Sequence, residues 1–316
     1  MARRRKGRPI DGVLLLNKAA GMSSNHALQR AKRLFFAAKA GHTGSLDPLA
    51  TGLLPLCLGE STKFSQFLLD ARKGYRSTFR LGITTTTGDA EGEVLHETDA
   101  SGVTREQVEA ALKAFEGEIE QVPPMFSALK INGQPLYKLA REGREVERKA
   151  RPVTIYRIEL LDFRPGPAAE VDVQVLCSKG TYIRTLAEDV GQFLDCGGRV
   201  EALHRTATGP FDIADAVSLE ELEAERGEGE PEQLDHHLLP ADTPVAHLPA
   251  LVLPLESAYY FSQGNPVMDP QVYRLGDEGD MVRVFADDAS EPRFLGMGVL
   301  NDEGQVAPKR LVASAV

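Results

Sequence analysis

The 316-residue sequence contains no apolar run near the ~20 residues that a membrane-spanning helix requires. Its N-terminus starts with basic residues, but the apolar run that follows, Val13 to Leu16, is too short for the core of a signal peptide. These two absences predict a protein that works in the cytoplasm without a membrane partner.

Cysteine is also scarce, and its pattern excludes a zinc site and a disulfide framework. Cys57, Cys177 and Cys196 are an odd number, are widely separated, and lack the spacing of a metal-binding cluster. The seven histidines do not group with them. We therefore expect reduced, structural cysteines and no bound metal.

Positive charge is in deficit overall, since the net charge is −10, yet its distribution is uneven. Residues 1–210 hold 30 Lys and Arg against 25 Asp and Glu, whereas residues 211–316 hold 6 against 21. Because phosphates dominate nucleic-acid affinity, the basic half is predicted to bind a polyanion, beginning with a basic arm at residues 1–9. The alternative is a pair of solvated charged surfaces, which charge alone does not exclude.

Length and pattern together predict two domains. Alternating helices and strands over the first 215 residues favour a mixed α+β domain, and short strand-like segments beyond residue 249 favour a small β-rich domain. Residues 218–248 are predicted to form an acidic helix and linker. The predicted strands are 10–16, 75–83, 154–163 and 170–178, and the predicted helices are 23–36, 62–70, 104–117 and 181–194.

One stretch, GHTGSLDPLATGLLPLCLG at residues 41–59, frames the single carboxylate of Asp47 with glycines and prolines. Pro48 disfavours a helical conformation at Asp47, and Gly44 permits backbone angles that other residues avoid. The apolar run from Leu53 to Leu58 supplies a buried anchor. The pattern fits a loop that holds one acid in a fixed pose, but on this pattern alone an ordinary turn of similar composition is favoured. The segments described next reverse that preference.

Two residues elsewhere are candidate partners of that acid. Tyr75 begins a predicted strand, where an aromatic residue either packs half-buried or stacks on a flat base. Arg184 lies where a strand gives way to a helix, and we expect it to pair with Asp47 through two forked hydrogen bonds. The helix dipole disfavours a cation in the first turn, which favours this interpretation over an ordinary surface arginine.

Two further segments are unusually polar. Residues 87–92 carry the paired acids Asp89 and Glu91, but their spacing does not match an EF-hand, so the loop is predicted to support a neighbouring site. Residues 123–152 are interrupted by prolines and glycines and then become basic, which predicts a helical insertion that clamps phosphates. Its alternative is a solvated amphipathic helix hairpin.

Together these segments resemble the bacterial tRNA pseudouridine-55 synthases of the TruB type. The resemblance extends over residues 10–217, and the tail beyond residue 249 resembles a small RNA-binding domain of the PUA type. The motifs that carry it are GHTGSLDPLATGLLPLCLGESTKF at 41–64, KGYRSTFRLG at 73–82, TGDAEG at 87–92, PPMFSALKINGQPLYKLAREG at 123–143, CSKGTYIRTLAEDVG at 177–191 and GPF at 209–211.

The resemblance implies a fold and an activity. The fold is α+β, with a mixed, mainly antiparallel sheet in a catalytic domain at residues 10–248 and a β-rich PUA-like domain at residues 249–316. The activity is isomerisation of uridine 55 in the T-loop of tRNA to pseudouridine by base flipping, with the T-arm as partner and no cofactor. A monomer is the expected state because no self-complementary apolar surface is evident.

The resemblance also implies roles for individual residues. Asp47 is the catalytic carboxylate, Arg184 is its partner, and Tyr75 stacks on the base and assists the late proton removal from C5. His204 stands where the family has arginine, which predicts one weaker phosphate contact. The remaining substrate-binding residues are His42, Tyr182, Leu203, Lys179 and Asp89, and those assigned to the RNA backbone are Lys63, Lys130, Arg141, Lys149 and Arg151.

Two other functions remain open at this point. A non-enzymatic tRNA-binding or tRNA-folding module would use the basic half and the PUA-like tail equally well. A nucleoside hydrolase would use Asp47 as half of a glycosidase pair and would release free uracil. The residues also leave open whether Asp47 attacks C1′, adds to C6 of the base, or removes a C2′ proton.

Overall fold

The computed structural model describes residues 7–131, 133–288 and 291–313. Residues 1–6 carry most of the predicted basic arm and lie outside the described residues. Within these ranges the chain builds two large sheets and two small two-stranded ones. No helix of the described ranges is both long enough and apolar enough to cross a membrane.

The helices and strands alternate through the first two thirds of the chain. Short 3₁₀-helices occur at Gly59–Lys63, Ile213–Asp215, Pro231–His237 and Thr243–Val245. The helices are α1 (Ser24–Leu34), α2 (Ser65–Asp70), α3 (Arg105–Ala114), α4 (Leu136–Arg141), α5 (Ile183–Phe193), α6 (Leu219–Arg226), α7 (Leu255–Ser262) and α8 (Val272–Leu275). The strands are β1 (Gly12–Lys18), β2 (Ala40–His42), β3 (Thr51–Leu58), β4 (Lys73–Leu81), β5 (Ile83–Thr85), β6 (Val94–Glu97), β7 (Gly117–Gln121), β8 (Lys130–Ile131), β9 (Gln134–Pro135), β10 (Arg151–Arg164), β11 (Glu170–Cys177), β12 (Gly198–Thr208), β13 (Phe211–Asp212), β14 (Val217–Ser218), β15 (Leu238–Leu239), β16 (Ala250–Leu253), β17 (Val267–Met268), β18 (Met281–Ala286), β19 (Arg293–Leu300) and β20 (Gln305–Leu311).

The larger sheet has the order β14-β1-β3-β12-β4-β11-β10-β7, with β2, β13 and β15 attached at its side. β14 pairs with β1 and β12 with β3 in parallel, while the other neighbours along this order pair antiparallel. This arrangement confirms the predicted mixed, mainly antiparallel α+β fold.

The central strands β1 and β3 are apolar because both faces of the sheet are covered here. Leu14 and Leu16 pack into the main core on one face, and Val13 and Leu15 pack into a smaller core on the other. Fully burying one such side chain contributes ~1.5–3 kcal/mol, so these two strands anchor the loop that joins β2 to β3. Their continuous apolar sequences, GVLLLNK and TGLLPLCL, follow from this double burial.

The smaller sheet has the order β16-β18-β19-β20-β17 and its own hydrophobic core. A separate cluster, centred on Phe64, Val245 and Met297, joins the smaller sheet to the part of the chain that carries the larger sheet. The rings of Phe64 and Phe294 lie 5.4 Å apart between centroids. The β-rich terminal unit therefore packs against the 59–64 segment, directly after the strand that follows Asp47.

The structure differs from the sequence expectations at two elements. β12 is a central strand that the sequence pattern did not predict, because its polar positions include Arg205, which is buried beneath the site. The segment expected to be an acidic linker instead packs on the main sheet. β14 and β15 both pair with β1, and Leu222 and Leu234 are buried in the main core.

Candidate active site

Asp47 lies in the loop between β2 and β3, and hydrogen bonds to neighbouring elements hold the backbone of that loop. The Ser24 hydroxyl at the start of α1 accepts a hydrogen bond from the Leu46 amide at 2.7 Å and donates one to the Leu46 carbonyl at 3.0 Å. The Thr43 amide donates to the carbonyl of Pro55 in β3 at 3.1 Å. After Asp47, the Pro48 carbonyl accepts a hydrogen bond from the Gly21 amide at 2.9 Å. The loop is therefore fixed on both sides of Asp47, as the sequence predicted.

Two buried cations beneath this loop were not predicted from the sequence. The Lys18 ammonium, at the end of β1, donates to the Pro48 carbonyl at 3.4 Å and to two carbonyls of the following turn. Arg205 donates from Nε to the Leu53 carbonyl at 2.6 Å and from Nη2 to the Gly44 carbonyl at 3.2 Å. Burial lowers the pKa of Lys18 to about 8, against the opposing charge of Asp47. In the sequence, the only sign of these buried cations is that a basic residue, Lys18, ends an apolar strand.

Arg184 is the direct partner of Asp47. Its Nε lies 3.0 Å from Asp47 Oδ2, while Nη1 donates to the Thr87 carbonyl at 2.8 Å and Nη2 to the Phe126 carbonyl at 2.7 Å. The predicted pairing is confirmed, but the predicted pair of forked hydrogen bonds to Asp47 is wrong. The terminal nitrogens are occupied by two backbone carbonyls, one from the 87–92 loop and one from the insertion.

A second carboxylate, Asp89, lies near the same nitrogen of the guanidinium. Its Oδ2 is 3.8 Å from Arg184 Nε, and its Oδ1 accepts hydrogen bonds from the Thr87 hydroxyl and the Glu91 amide. Asp89 is buried, which fits the predicted supporting role of its loop more directly than contact with a substrate. Arg184 thus supplies the positive charge that two neighbouring carboxylates require.

The environment of Asp47 opposes its ionisation and supports it at once. The pKa of Asp47 is raised, because burial and the charge of Asp89 outweigh the lowering effect of the Arg184 charge. The Asp47 side chain is nevertheless 40% exposed, so the carboxylate is accessible from solvent. Removing water from around it would strengthen each of these electrostatic contacts.

Tyr75 lies in β4, opposite Arg205 in the register of the neighbouring β12. Only 9% of the residue is exposed. Burial raises the pKa of Tyr75, while Arg205 opposes this through its charge and a hydrogen bond. The phenol therefore keeps its proton at neutral pH. The charge of Asp47 also acts to raise the pKa of Tyr75.

The other predicted substrate-binding residues adjoin this centre. Tyr182 caps α5 two residues before Arg184, and its amide donates to Gln121 Oε1 at 3.0 Å. Leu203 is half-buried in β12, and His42 is half-buried at the end of β2. Burial, together with the charge of Arg205, lowers the pKa of His42, so its ring is neutral at physiological pH. Contact of these residues with a uridine stays a prediction.

The basic insertion at residues 123–152 has little regular structure. It holds the β8–β9 hairpin and the six-residue α4, and residues 142–150 form neither helix nor strand. The predicted basic helix is therefore wrong beyond Arg141. Gly143, with φ at +69°, takes the chain out of α4 in a conformation that disfavours other residues. The predicted phosphate ligands of this segment are Lys130, Arg141, Lys149 and Arg151, and all four are exposed.

Two predicted RNA-binding lysines are engaged within the protein. Lys63 Nζ donates to the Leu311 carbonyl at 2.8 Å and pairs with Glu60, at the contact with the smaller sheet. Lys179 Nζ lies 2.8 Å from Asp70 Oδ1 on the surface. The contact with Leu311 and Glu60 gives Lys63 a structural role that does not involve RNA. Contact of either lysine with RNA stays a prediction.

A cavity of about 700 Å³ adjoins the residues that hold Arg184. Its lining includes Thr87 and Phe126, whose carbonyls accept from Arg184, together with Arg148 of the insertion and Glu188 of α5. The bond to Phe126 links Arg184 directly to the insertion.

Comparison with known proteins agrees with this architecture. The family model for "TruB family pseudouridylate synthase (N terminal domain)" matches residues 32–183. Those for the "tRNA pseudouridylate synthase B C-terminal domain" and for "Pseudouridine synthase II TruB, C-terminal" match residues 184–246 and 249–312.

Individual relatives match over nearly the whole chain. A protein of Saccharophagus degradans named tRNA pseudouridine synthase B is 62% identical over 313 residues, 99% of both chains. One of the same name from Pseudomonas aeruginosa is 56% identical over 307 residues, 97% of both chains. A chain in the crystal structure of a Cbf5-Nop10-Gar1 complex has the same fold, with a TM-score of 0.69 and 24% identity over 96% of this chain and 85% of that one.

The matching family models and the full-length relatives show that this chain is a pseudouridine synthase, an isomerase that modifies RNA. The chain belongs to the TruB family of pseudouridylate synthases, which confirms the family that its motifs resemble.

Proposed function

We propose that this protein converts uridine 55 in the T-loop of tRNA to pseudouridine, with Asp47 as the essential carboxylate. The relatives named tRNA pseudouridine synthase B support tRNA as the substrate. The observation that carries the proposal is a carboxylate oriented at 3.0 Å by a buried arginine while 40% of its side chain is exposed. The partner favours the ionised form of this carboxylate, and the exposure leaves it accessible to a ribose.

The reaction is an isomerisation and needs no second substrate. The N1–C1′ bond of the uridine breaks, the base turns, and a C5–C1′ bond forms, while C5 loses a proton and N1 gains one. A carboxylate can attack C1′, add to C6, or remove the C2′ proton, and each route begins from the ionised form. Arg184 favours that form and holds the oxygen in place, whichever route is taken.

The target base must leave the stack before Asp47 can reach its ribose. Flipping costs a few kcal/mol, and stacking of a base on an aromatic ring contributes ~1–3 kcal/mol. In this proposal Tyr75 provides that ring and its protonated hydroxyl assists the late proton transfer from C5. The neutral ring of His42 contacts the part of the T-loop from which the base is withdrawn.

The remaining surfaces bind the rest of the tRNA. The exposed cations of the insertion face the phosphates, and residues 249–316 act as a PUA-like RNA-binding domain. Each chain carries one complete site, so a monomer suffices for activity. A tRNA substrate places the reaction in the cytoplasm.

Product mapping tests the proposal directly. We expect the wild-type protein to convert one uridine of a T-arm RNA at unchanged RNA mass, with a new C–C glycosidic bond. Asp47→Asn should abolish conversion and leave RNA binding nearly unchanged, because it removes the charge but keeps the shape. Asp162→Asn, which alters an exposed carboxylate in a surface ion pair, is the matched control.

Each competing function predicts a different product. Free uracil would identify a hydrolase, and binding by the wild-type protein without any modified uridine would identify a non-enzymatic module. Turnover of Asp47→Asn near the wild-type rate would remove Asp47 from the chemistry.

A further inference from the structure

A cluster of two imidazoles and one carboxylate lies on α6 and the 3₁₀-helix at Pro231–His237, outside the site described above. The ligand-capable atoms of Glu225, His236 and His237 all lie within 4.8 Å of one another. His237 Nε2 is 2.7 Å from Glu225 Oε2, and His236 Nε2 is 3.4 Å from Glu225 Oε1. Both imidazoles therefore direct the same nitrogen toward one carboxylate.

A backbone carbonyl determines which nitrogen of His236 carries the hydrogen. His236 Nδ1 lies 2.9 Å from the Gln233 carbonyl, which can only accept, so Nδ1 is the donor. In the neutral ring Nε2 then holds a lone pair, and that lone pair faces a carboxylate oxygen. Two acceptors that face each other in this way are stabilised when a proton or a metal ion lies between them. A carbonyl that orients an imidazole in this way is the usual outer partner of a metal-bound histidine.

The elements that carry the three side chains are anchored. α6 begins with a capping box formed by Ser218 and Glu221, and Leu222 is buried on its inner face. The 3₁₀-helix buries Leu234 and is tied by Asp235 to Arg8, at 2.6 Å. Binding of an ion would therefore order few additional groups.

We propose that Glu225, His236 and His237 bind one divalent transition-metal ion of the zinc class, with water completing its coordination. Imidazole ligands suit zinc, nickel, copper and iron, whereas magnesium and calcium prefer sets of oxygens. Two ligand atoms bound at ~2.1 Å to a tetrahedral ion lie roughly 3.4 Å apart. His236 Nε2 and Glu225 Oε1 have this separation, whereas the 2.7 Å between His237 Nε2 and Glu225 Oε2 would lengthen when an ion binds. The ion would clip the 3₁₀-helix to α6 at a distance from the catalytic carboxylate. No metal was expected from the sequence because the histidines do not group with the cysteines. That reasoning did not consider histidines that group with a glutamate.

Calorimetric titration tests this site. A chelator first removes any metal from the full chain, and zinc chloride is then added in steps. We expect one saturable ion per chain. His236→Ala, His237→Ala and Glu225→Gln should each weaken binding by roughly 10–100-fold, the loss that removal of even an outer partner produces. Glu223→Gln is the matched control, since it changes a carboxylate of the same helix that pairs instead with Arg30.

Cobalt gives a second readout that does not depend on heat. Co²⁺ added to the stripped protein should produce visible ligand-field absorption that zinc displaces, and His237→Ala should abolish it. Circular dichroism of each variant establishes that it is folded. The proposal is overturned if no ion binds saturably, which would leave a proton between the imidazoles and Glu225. It is equally overturned if the cluster variants bind zinc as tightly as Glu223→Gln.

Discussion

Replacing Arg184 by lysine keeps the positive charge but removes the planar guanidinium, so it tests the geometry of that group separately from its charge. Arg184 is 6% exposed at its side chain and uses three nitrogens on three acceptors, the Asp47 carboxylate and the carbonyls of Thr87 and Phe126. A lysine ammonium is a single point charge that cannot reproduce this arrangement. At least one acceptor loses its partner, and a hydrogen bond to a charged group contributes ~1.5–3 kcal/mol.

The expected loss of activity follows from that energy. If Asp47 loses about 3 kcal/mol of orientation and charge stabilisation in the transition state, turnover falls about 100-fold. The pH dependence should change as well. Arg184 lowers the pKa of Asp47, so a weaker partner allows that pKa to rise. Because the ionised carboxylate is the active form, activity disappears as pH falls through this pKa, and the acid limb moves to higher pH.

The assay is single-turnover release of tritium from C5-labelled uridine in a T-arm RNA, followed across the acidic and neutral range. Arg283→Lys is the matched control, because Arg283 also combines a carboxylate, Asp242 at 2.7 Å, with a carbonyl, Leu248 at 3.0 Å, but lies in the smaller sheet. A wild-type rate with an unchanged acid limb for Arg184→Lys would refute the reasoning. An equal loss in Arg283→Lys would show a general effect on folding.

Three further variants test other parts of the protein. Tyr75→Phe should keep RNA binding but slow turnover, because the ring remains and the hydroxyl is removed; full activity in the tritium assay would exclude a proton-transfer role. Changing Lys149 and Arg151 to Gln should make the plot of log RNA affinity against log salt concentration less steep, by ~0.7–0.9 for each phosphate that is no longer neutralised. An unchanged slope would show that neither side chain binds a phosphate. Gly52→Ala should destabilise the fold by ~1–3 kcal/mol, seen as a lower thermal midpoint in circular dichroism, since its Cβ would lie 2.3 Å from the Arg205 carbonyl at a φ of +100°. A wild-type midpoint would mean that β3 and β12 can separate at this point.

Arg184 connects parts of the chain that are far apart in sequence. Its three acceptors belong to the catalytic loop, the 87–92 loop and the insertion. RNA bound by the insertion would therefore act on the same guanidinium that orients Asp47. Its hydrogen bond to Phe126 is the direct link between the two.

Local sequence was sufficient for the longer helices, for several long strands and for singling out Asp47 as the candidate carboxylate. The capping box at Thr104 and the cap at Ser23 locate the starts of α3 and α1 because a side-chain oxygen satisfies a free amide nearby. The framed Asp47 and the family motifs likewise depend on neighbours in the chain. The prediction of a helix over residues 142–150 was wrong because their basic composition permits a helix but supplies no apolar face to stabilise one.

Tertiary structure decided everything that depends on partners distant in the chain. The sequence alone determined that a single acid stands in a rigid loop and that an arginine at 184 is available to it. Only the folded chain placed Lys18 and Arg205 beneath that loop, divided the guanidinium among three acceptors, and set Glu225 beside two histidines. The physical reason is that hydrogen bonds and ion pairs depend on distance and direction in space, which local propensity does not encode.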